Sequence, residues 1–308
     1  HLISRRKTLK GLTSLSEGNW AQAQKQLAQA AERSDLPLVN YLAAARAAHE
    51  QNNEQATDEL LQKARNSTPE AEVTVAISQA EIQLSRGQLE PCLATLLRLR
   101  TLAPKNTYVM KLLKDIYLRL NDWQALSKRI PILRKHQALK EDELSQLSRD
   151  CYGQLLEESI NKLPVETSND DRLKALGKAW NDLPSDLSRD GDLVQRYTEL
   201  LVSLGAESRA EQSLKDLLKR NWDDKLVNLY GRLSGENAKK QLDTARGWLK
   251  SHDDSPSLQL TLGRLSMRNQ HWGQAVKYFE QSLALNPSSE TLAELARLLR
   301  HLGDNDRA

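Results

Sequence analysis

Histidine, cysteine and carboxylate side chains carry most acid–base, nucleophilic and metal chemistry, and in this 308-residue chain they form no working set. The six histidines (His1, His49, His136, His252, His271, His301) are scattered, with no pair four residues apart on one helix face to grip a metal. Cys92 and Cys151 are far apart and lie in no CxxC or Cys/His spacing, so neither a disulfide framework nor a zinc site is expected, and a reducing compartment is the default. There is no glycine-rich phosphate loop, GxGxxG, HExxH or GxSxG. The 41 acidic residues are interspersed with 44 basic ones, as on solvated helix faces. The resulting net charge of +3 makes no case for a nucleic-acid partner. The expectation is therefore no catalytic residue, no metal and no enzyme activity.

Attention moves to the elements that would present these side chains. Hydrophobic residues make up 39% of the chain and include a single phenylalanine among many Leu and Ala, a mix that suits helices stacked through small and leucine side chains. One segment sets a register. Counting Pro256 as position 1 of a 34-residue unit, Gly263 falls at 8, Trp272 at 17, Ala275 at 20, Phe279 at 24 and Pro287 at 32. That is the tetratricopeptide repeat (TPR) pattern. Small residues at 8 and 20 let the two helices of a hairpin approach closely, aromatic residues fill the space between hairpins, and proline stops the second helix.

The register recurs in Gly11, Gly18, Trp20, Ala23 and Leu27, then in Tyr41, Ala45, Asn52, Leu61, Ala64 and Pro69. Ala80, Gly87, Cys92, Leu96 and Pro104 continue it, followed by Tyr117, Asn121, Trp123, Ile130 and Leu133. Gly18, Asn52, Gly87 and Asn121 sit about one repeat apart at the turn between helices, where Gly and Asn tolerate a left-handed backbone. The middle is irregular. Helices are expected from about Glu141 to Leu163, from Asp171 to Leu183 with Asn169-Asp170 as its cap, and over Gly191–Leu204. The fold expected is an all-α, right-handed superhelical α-solenoid of TPR-type hairpins with three sections: N-terminal repeats over 1–137, a divergent section over 138–190 and C-terminal repeats over 191–308. The last unit stops at Ala308, where its second helix should begin, so the native chain is expected to continue.

Such an array offers a concave surface lined by the first helix of each hairpin. In the N-terminal repeats the groove slots hold Leu42, Arg46, His49, Glu81, Lys111, Asp115 and Arg119, a mixed-charge set with apolar members that suits an extended peptide or a helix of a partner protein. Trp20, Trp123 and Trp272 share one repeat position and read as packing residues, not as base-stacking platforms; Trp180, Trp222 and Trp248 are left open by the register.

Beyond the repeat, the chain resembles the HemY family, TPR membrane proteins associated with heme biosynthesis in proteobacteria. The resemblance is carried by Arg5-Arg6-Lys7 leading into Leu15-Ser-Glu-Gly18-Asn-Trp20, by Leu38-Val-Asn40-Tyr41-Leu42 with the alanine run to Ala48, by Asp223-Asp224-Lys-Leu and by the Leu262-Gly263 unit. It implies two preceding transmembrane helices, the basic cluster just below an inner membrane, and this segment on the cytoplasmic side. It further implies an adaptor for late heme or porphyrin synthesis whose partners are enzymes such as ferrochelatase, with no catalytic residue to carry over. Two alternatives stay open: a TPR scaffold for envelope or lipopolysaccharide assembly, and a direct heme or porphyrin carrier using His49. No CxxCH or Cys-Pro heme motif is present, and no dinucleotide fingerprint links the chain to the flavin-dependent oxidase that shares the family name.

Overall fold

The computed structural model describes residues 2–303, and among these every regular element is helical. The chain divides into two compact units, His1–Ser148 and Arg149–Ala308. The first contains α1 (Leu2–Ser16), α2 (Trp20–Ala31), α3 (Pro37–Glu50), α4 (Glu54–Arg65), α5 (Ala71–Ser85), α6 (Leu89–Leu102), α7 (Thr107–Leu120), α8 (Trp123–Ser127) and α9 (Ile130–Lys135). The boundary falls within α10 (Glu141–Asn161). The second unit continues with α11 (Asn169–Asn181), a 3-10 turn at Leu187–Arg189, α12 (Gly191–Ser203), α13 (Glu207–Leu218), α14 (Asp224–Arg232), α15 (Ala238–His252), α16 (Pro256–Arg268), α17 (Trp272–Leu285) and α18 (Ser289–His301). The place where a further helix was expected, after residue 303, lies outside the described residues.

Sequence neighbours pack on one another, as α1 on α2, α2 on α3, α5 on α6 and α16 on α17, and the first helices of successive hairpins also touch: α1 with α3, α3 with α5, α14 with α16 and α16 with α18. This nearest-neighbour packing is the α-solenoid arrangement of TPR hairpins. The turns that reverse the chain use the expected residues. Gly18, Asn52, Gly87 and Asn121 all have positive φ, between 53° and 76°. The repeat positions are buried as their sizes require: Ala45 and Ala80 at position 8, Ala23, Cys92 and Ala275 at 20, and Leu27, Leu96 and Phe279 at 24 are all fully inaccessible. Caps fix the helix starts, as where the Asn106 side chain accepts from the backbone amides of Tyr108 and Val109 at α7.

Three details differ from the sequence expectation. The second helix of the fourth hairpin is split into α8 and α9, because Pro131 has no amide hydrogen for the helix and crowds the turn before it. The helix expected to start at Asp171 starts at Asn169, since the Ser168 hydroxyl, and not Asn169, accepts from the Asp171 amide at 3.2 Å. Trp20, Trp123 and Trp272 are the first residues of α2, α8 and α17 and are half-buried, because a helix start lies at the rim of its hairpin.

Glycine is required where a hairpin closes tightest. A Cβ on Gly263 would run into the Phe279 ring of α17, whereas one on Gly247 in α15 would meet nothing within 4 Å. Gly263→Ala should therefore destabilise the protein by about 1–3 kcal/mol through overpacking. Gly247→Ala should stabilise it by about 0.5–1 kcal/mol by restricting the unfolded chain. Thermal melts of the two variants should move in opposite directions.

Candidate functional site

In the first unit, one face of the first helices forms a groove enclosing a cavity of about 650 Å³. Leu15 of α1, Leu42, Arg46 and His49 of α3, Glu81 and Ser85 of α5, and Tyr108, Leu112 and Arg119 of α7 line it. They converge because positions three or four residues apart on one helix share a face, while Ala44, Ala45, Ala47 and Ala48 of α3 and Ala71 and Val75 of α5 are committed to the alanine-rich core. Five of the seven residues expected in the groove are brought together here: Leu42, Arg46, His49, Glu81 and Arg119. Lys111 is exposed and Asp115 pairs with Lys114 at 2.9 Å; neither is among the lining residues. Tyr108 was not singled out from the sequence. Its hydroxyl donates to the Glu81 carboxylate, a bond that, with some burial and the charges of Glu81 and Asp115, holds the phenol above its ordinary pKa. His49 Nε2 lies 2.7 Å from Ser85 Oγ, and its Nδ1 is buried without a hydrogen-bond partner.

The second unit has its own groove, of about 870 Å³, on the corresponding face of α14, α16 and α18. Its floor is Arg264, whose side chain is only 9% exposed. The guanidinium donates from Nε to Glu294 at 2.9 Å, from Nη1 to the Asn228 carbonyl at 2.6 Å and from Nη2 to Glu290 at 2.6 Å. Each carboxylate then holds a second, outer arginine: Arg232 on Glu290 and Arg297 on Glu294. Arg268 and Arg300 complete the basic lining. Burial works to raise the Glu290 carboxyl, but hydrogen bonds from Arg264, Arg232 and Asn228 outweigh it and hold it at about 2. This site was missed from the sequence because the groove slots were read only in the N-terminal repeats. The signal was present: an arginine directly follows the small residue in Gly231-Arg232, Gly263-Arg264 and Ala296-Arg297, as it does in Ala45-Arg46.

The remaining chemically able groups are absorbed by packing. Cys92 is fully buried, with its thiol 3.2 Å from the Ala80 carbonyl, and burial raises its pKa. Burial also lifts Cys151, to about 12, a direction that disfavours the thiolate. Trp180 stacks on Tyr197 at 4.2 Å, and Trp222 stacks on His252 at 3.6 Å with its edge against Trp248. No group of three or more metal-ligating side chains occurs among the described residues. Nor is any described helix long and apolar enough to cross a membrane; Arg5, Arg6 and Lys10 are exposed on α1.

The ion-pair floor has a measurable signature. Because the Glu290 pKa is depressed in the folded state, its contribution is complete above the ordinary value of 4.5 and fades as pH falls toward about 2. The melting temperature of the wild type should exceed that of Glu290→Gln at about pH 6, and the gap should narrow steadily at about pH 3. A gap that is flat or widening with acid would contradict the arrangement.

Comparison with known proteins gives a coherent set of likenesses. The profile described as HemY protein N-terminus matches residues 3–52, the segment that forms α1 to α3 and one wall of the first groove. Protein HemY of Escherichia coli K12 is 26% identical over 305 residues, covering 99% of this chain and 75% of that protein. Protein HemY of Shigella flexneri gives the same identity and coverage. Among solved structures, a tetratricopeptide repeat protein from Parabacteroides merdae aligns over 97% of this chain and 100% of its own, at 14% identity and a TM-score of 0.42. The likeness to HemY therefore runs the length of the chain, and the profile match is confined to its first three helices.

Proposed function

We propose that this chain is a non-catalytic protein-binding scaffold, membrane-tethered in its full-length form, that supports late heme synthesis from the cytoplasmic face of the inner membrane. The observation that carries the reading is the first groove. Four successive first helices turn an accessible, mixed-charge face with apolar slots toward a shared cavity, which is the shape that takes a helix or an extended segment of another protein. The heme connection and the membrane tether rest on the likeness to HemY, and the partners it favours are porphyrin enzymes such as ferrochelatase. Direct porphyrin ligation by His49 is disfavoured by its surroundings. Nε2 is taken by Ser85 and Nδ1 is buried, so an axial bond would first have to break a hydrogen bond.

The test is affinity capture with the full-length protein, reading ferrochelatase and its neighbouring enzymes by mass spectrometry. Arg46→Glu with Arg119→Glu should reduce capture of an acidic partner while leaving the melting temperature within about 1 °C, since substitutions of exposed side chains are close to neutral. Lys111→Glu, outside the cavity lining, should capture as wild type does. Equal capture by the double variant would move the partner surface off this groove. A Soret shift on porphyrin addition that is lost in His49→Ala would favour the carrier instead.

A further inference from the structure

Five arginines and two glutamates line the second groove, a surplus of three positive charges in one cavity of a chain whose whole net charge is also +3. The placement is not a random basic surface. Arg264 spends its bonds inward and fixes Glu290 and Glu294, and each of those glutamates fixes one outer arginine. Arg232 and Arg297 are thereby oriented by a single contact each, with side chains 57% and 67% exposed and further N–H groups turned to no protein acceptor among the described residues. Arg300 lies three residues after Arg297 on the same face of α18, and Arg268 lies four after Arg264 on α16, so like charges are stacked along both walls. Arg268 spends its own bonds on the Leu233 and Arg232 carbonyls, and burial, more than the charge of Arg264, lowers its pKa from the ordinary value. Guanidiniums held in a fixed orientation lose little freedom on meeting a carboxylate and bind it with two parallel bonds.

We propose that this groove is a binding site for an acidic peptide segment of a partner protein, its Asp or Glu carboxylates seated on Arg232, Arg297 and Arg300. The site is separate from the first groove and does not depend on it. A peptide is favoured over a nucleic acid by the lining itself. Glu290 and Glu294 stand between the arginines and would repel a backbone carrying a charge at every residue, whereas spaced carboxylates fit between them. No aromatic ring lines the cavity to stack a base, while Met267 and Ala293 offer apolar surface to a peptide side chain.

The test uses the full chain and a fluorescein-labelled peptide alternating Glu with Leu, beside its Gln counterpart, followed by fluorescence anisotropy. The glutamate peptide should bind and the glutamine peptide should not, with affinity falling as salt is raised. Arg297→Ala with Arg300→Ala should weaken binding about tenfold or more, given the strength of charge-assisted hydrogen bonds, with an unchanged melting curve. Arg46→Glu with Arg119→Glu, in the other groove, should leave it unaltered, so that failure here is distinct from failure of the scaffold reading. Absence of binding, equal binding of the two peptides, or indifference to the Arg297/Arg300 change would overturn the proposal. So would single-stranded DNA or anionic vesicles competing more strongly than unlabelled peptide.

Discussion

The close approach of paired helices is the constraint on which the rest of this structure depends. At Gly11 a Cβ would stand 2.6 Å from Leu27 Cγ, at Gly231 it would stand 2.7 Å from the Thr261 hydroxyl, and at Gly263 it would enter the Phe279 ring. Helices meet where a side chain is missing: Leu27 and Phe279 fill the gap within a hairpin, and Thr261 fills it between the first helices of successive hairpins. Once that face of each first helix is used for contact, its opposite face is barred from the core. It must carry polar or mixed residues and it must be shared with the next first helix along. The grooves are thus the other side of the packing rule and need no additional element to create them.

This explains which parts of the molecule could be read in the residues. Turn positions were legible because a left-handed backbone leaves few choices, and Gly18, Asn52, Gly87 and Asn121 all adopt it. The small positions were legible for the same reason: Ala45, Ala80, Cys92 and Ala275 have no accessible surface left to vary. Helix boundaries were harder, since Pro131 breaks a helix of the fourth repeat without moving the hydrophobic pattern around it, and in the irregular section serine competes with its polar neighbours for one cap. Groove chemistry was legible only in part, even where the slots were counted. Five N-terminal slots converge as counted, but Lys111 and Asp115 show that a slot number fixes the face of a helix and not the reach of its side chain. Arg264 directly follows Gly263 in the unit that set the register, and the arginines of the second unit went unread only because the slots there were not counted.

Arg264 illustrates how the fold and a charged surface become one problem. A guanidinium this deeply placed costs desolvation that a single ion pair would not offset. Here two carboxylates and one amide oxygen share the work, and the depressed Glu290 pKa records how strongly they are bound. The cluster joins α14, α16 and α18 on the face they turn to the groove, and so adds a polar tie between consecutive first helices that also share hydrophobic contacts. A charged network is a costly way to join helices unless the face it occupies has to stay polar.

That condition separates the two grooves. In a repeat array each hairpin is stabilised by its neighbours alone, so the exposed slots of one unit can change character without disturbing the core of the other. The first groove has kept leucines beside its charges, with Leu15, Leu42 and Leu112 facing the cavity. The second presents five guanidiniums, two of them held outward by half-buried glutamates, beside the apolar surface of Met267 and Ala293. Apolar slots discriminate by shape and lose little when the salt concentration changes; oriented arginines discriminate by charge and respond to it steeply. On the two proposals made above, a single chain carrying both grooves would present two surfaces suited to different chemistry, as a scaffold for several partners requires.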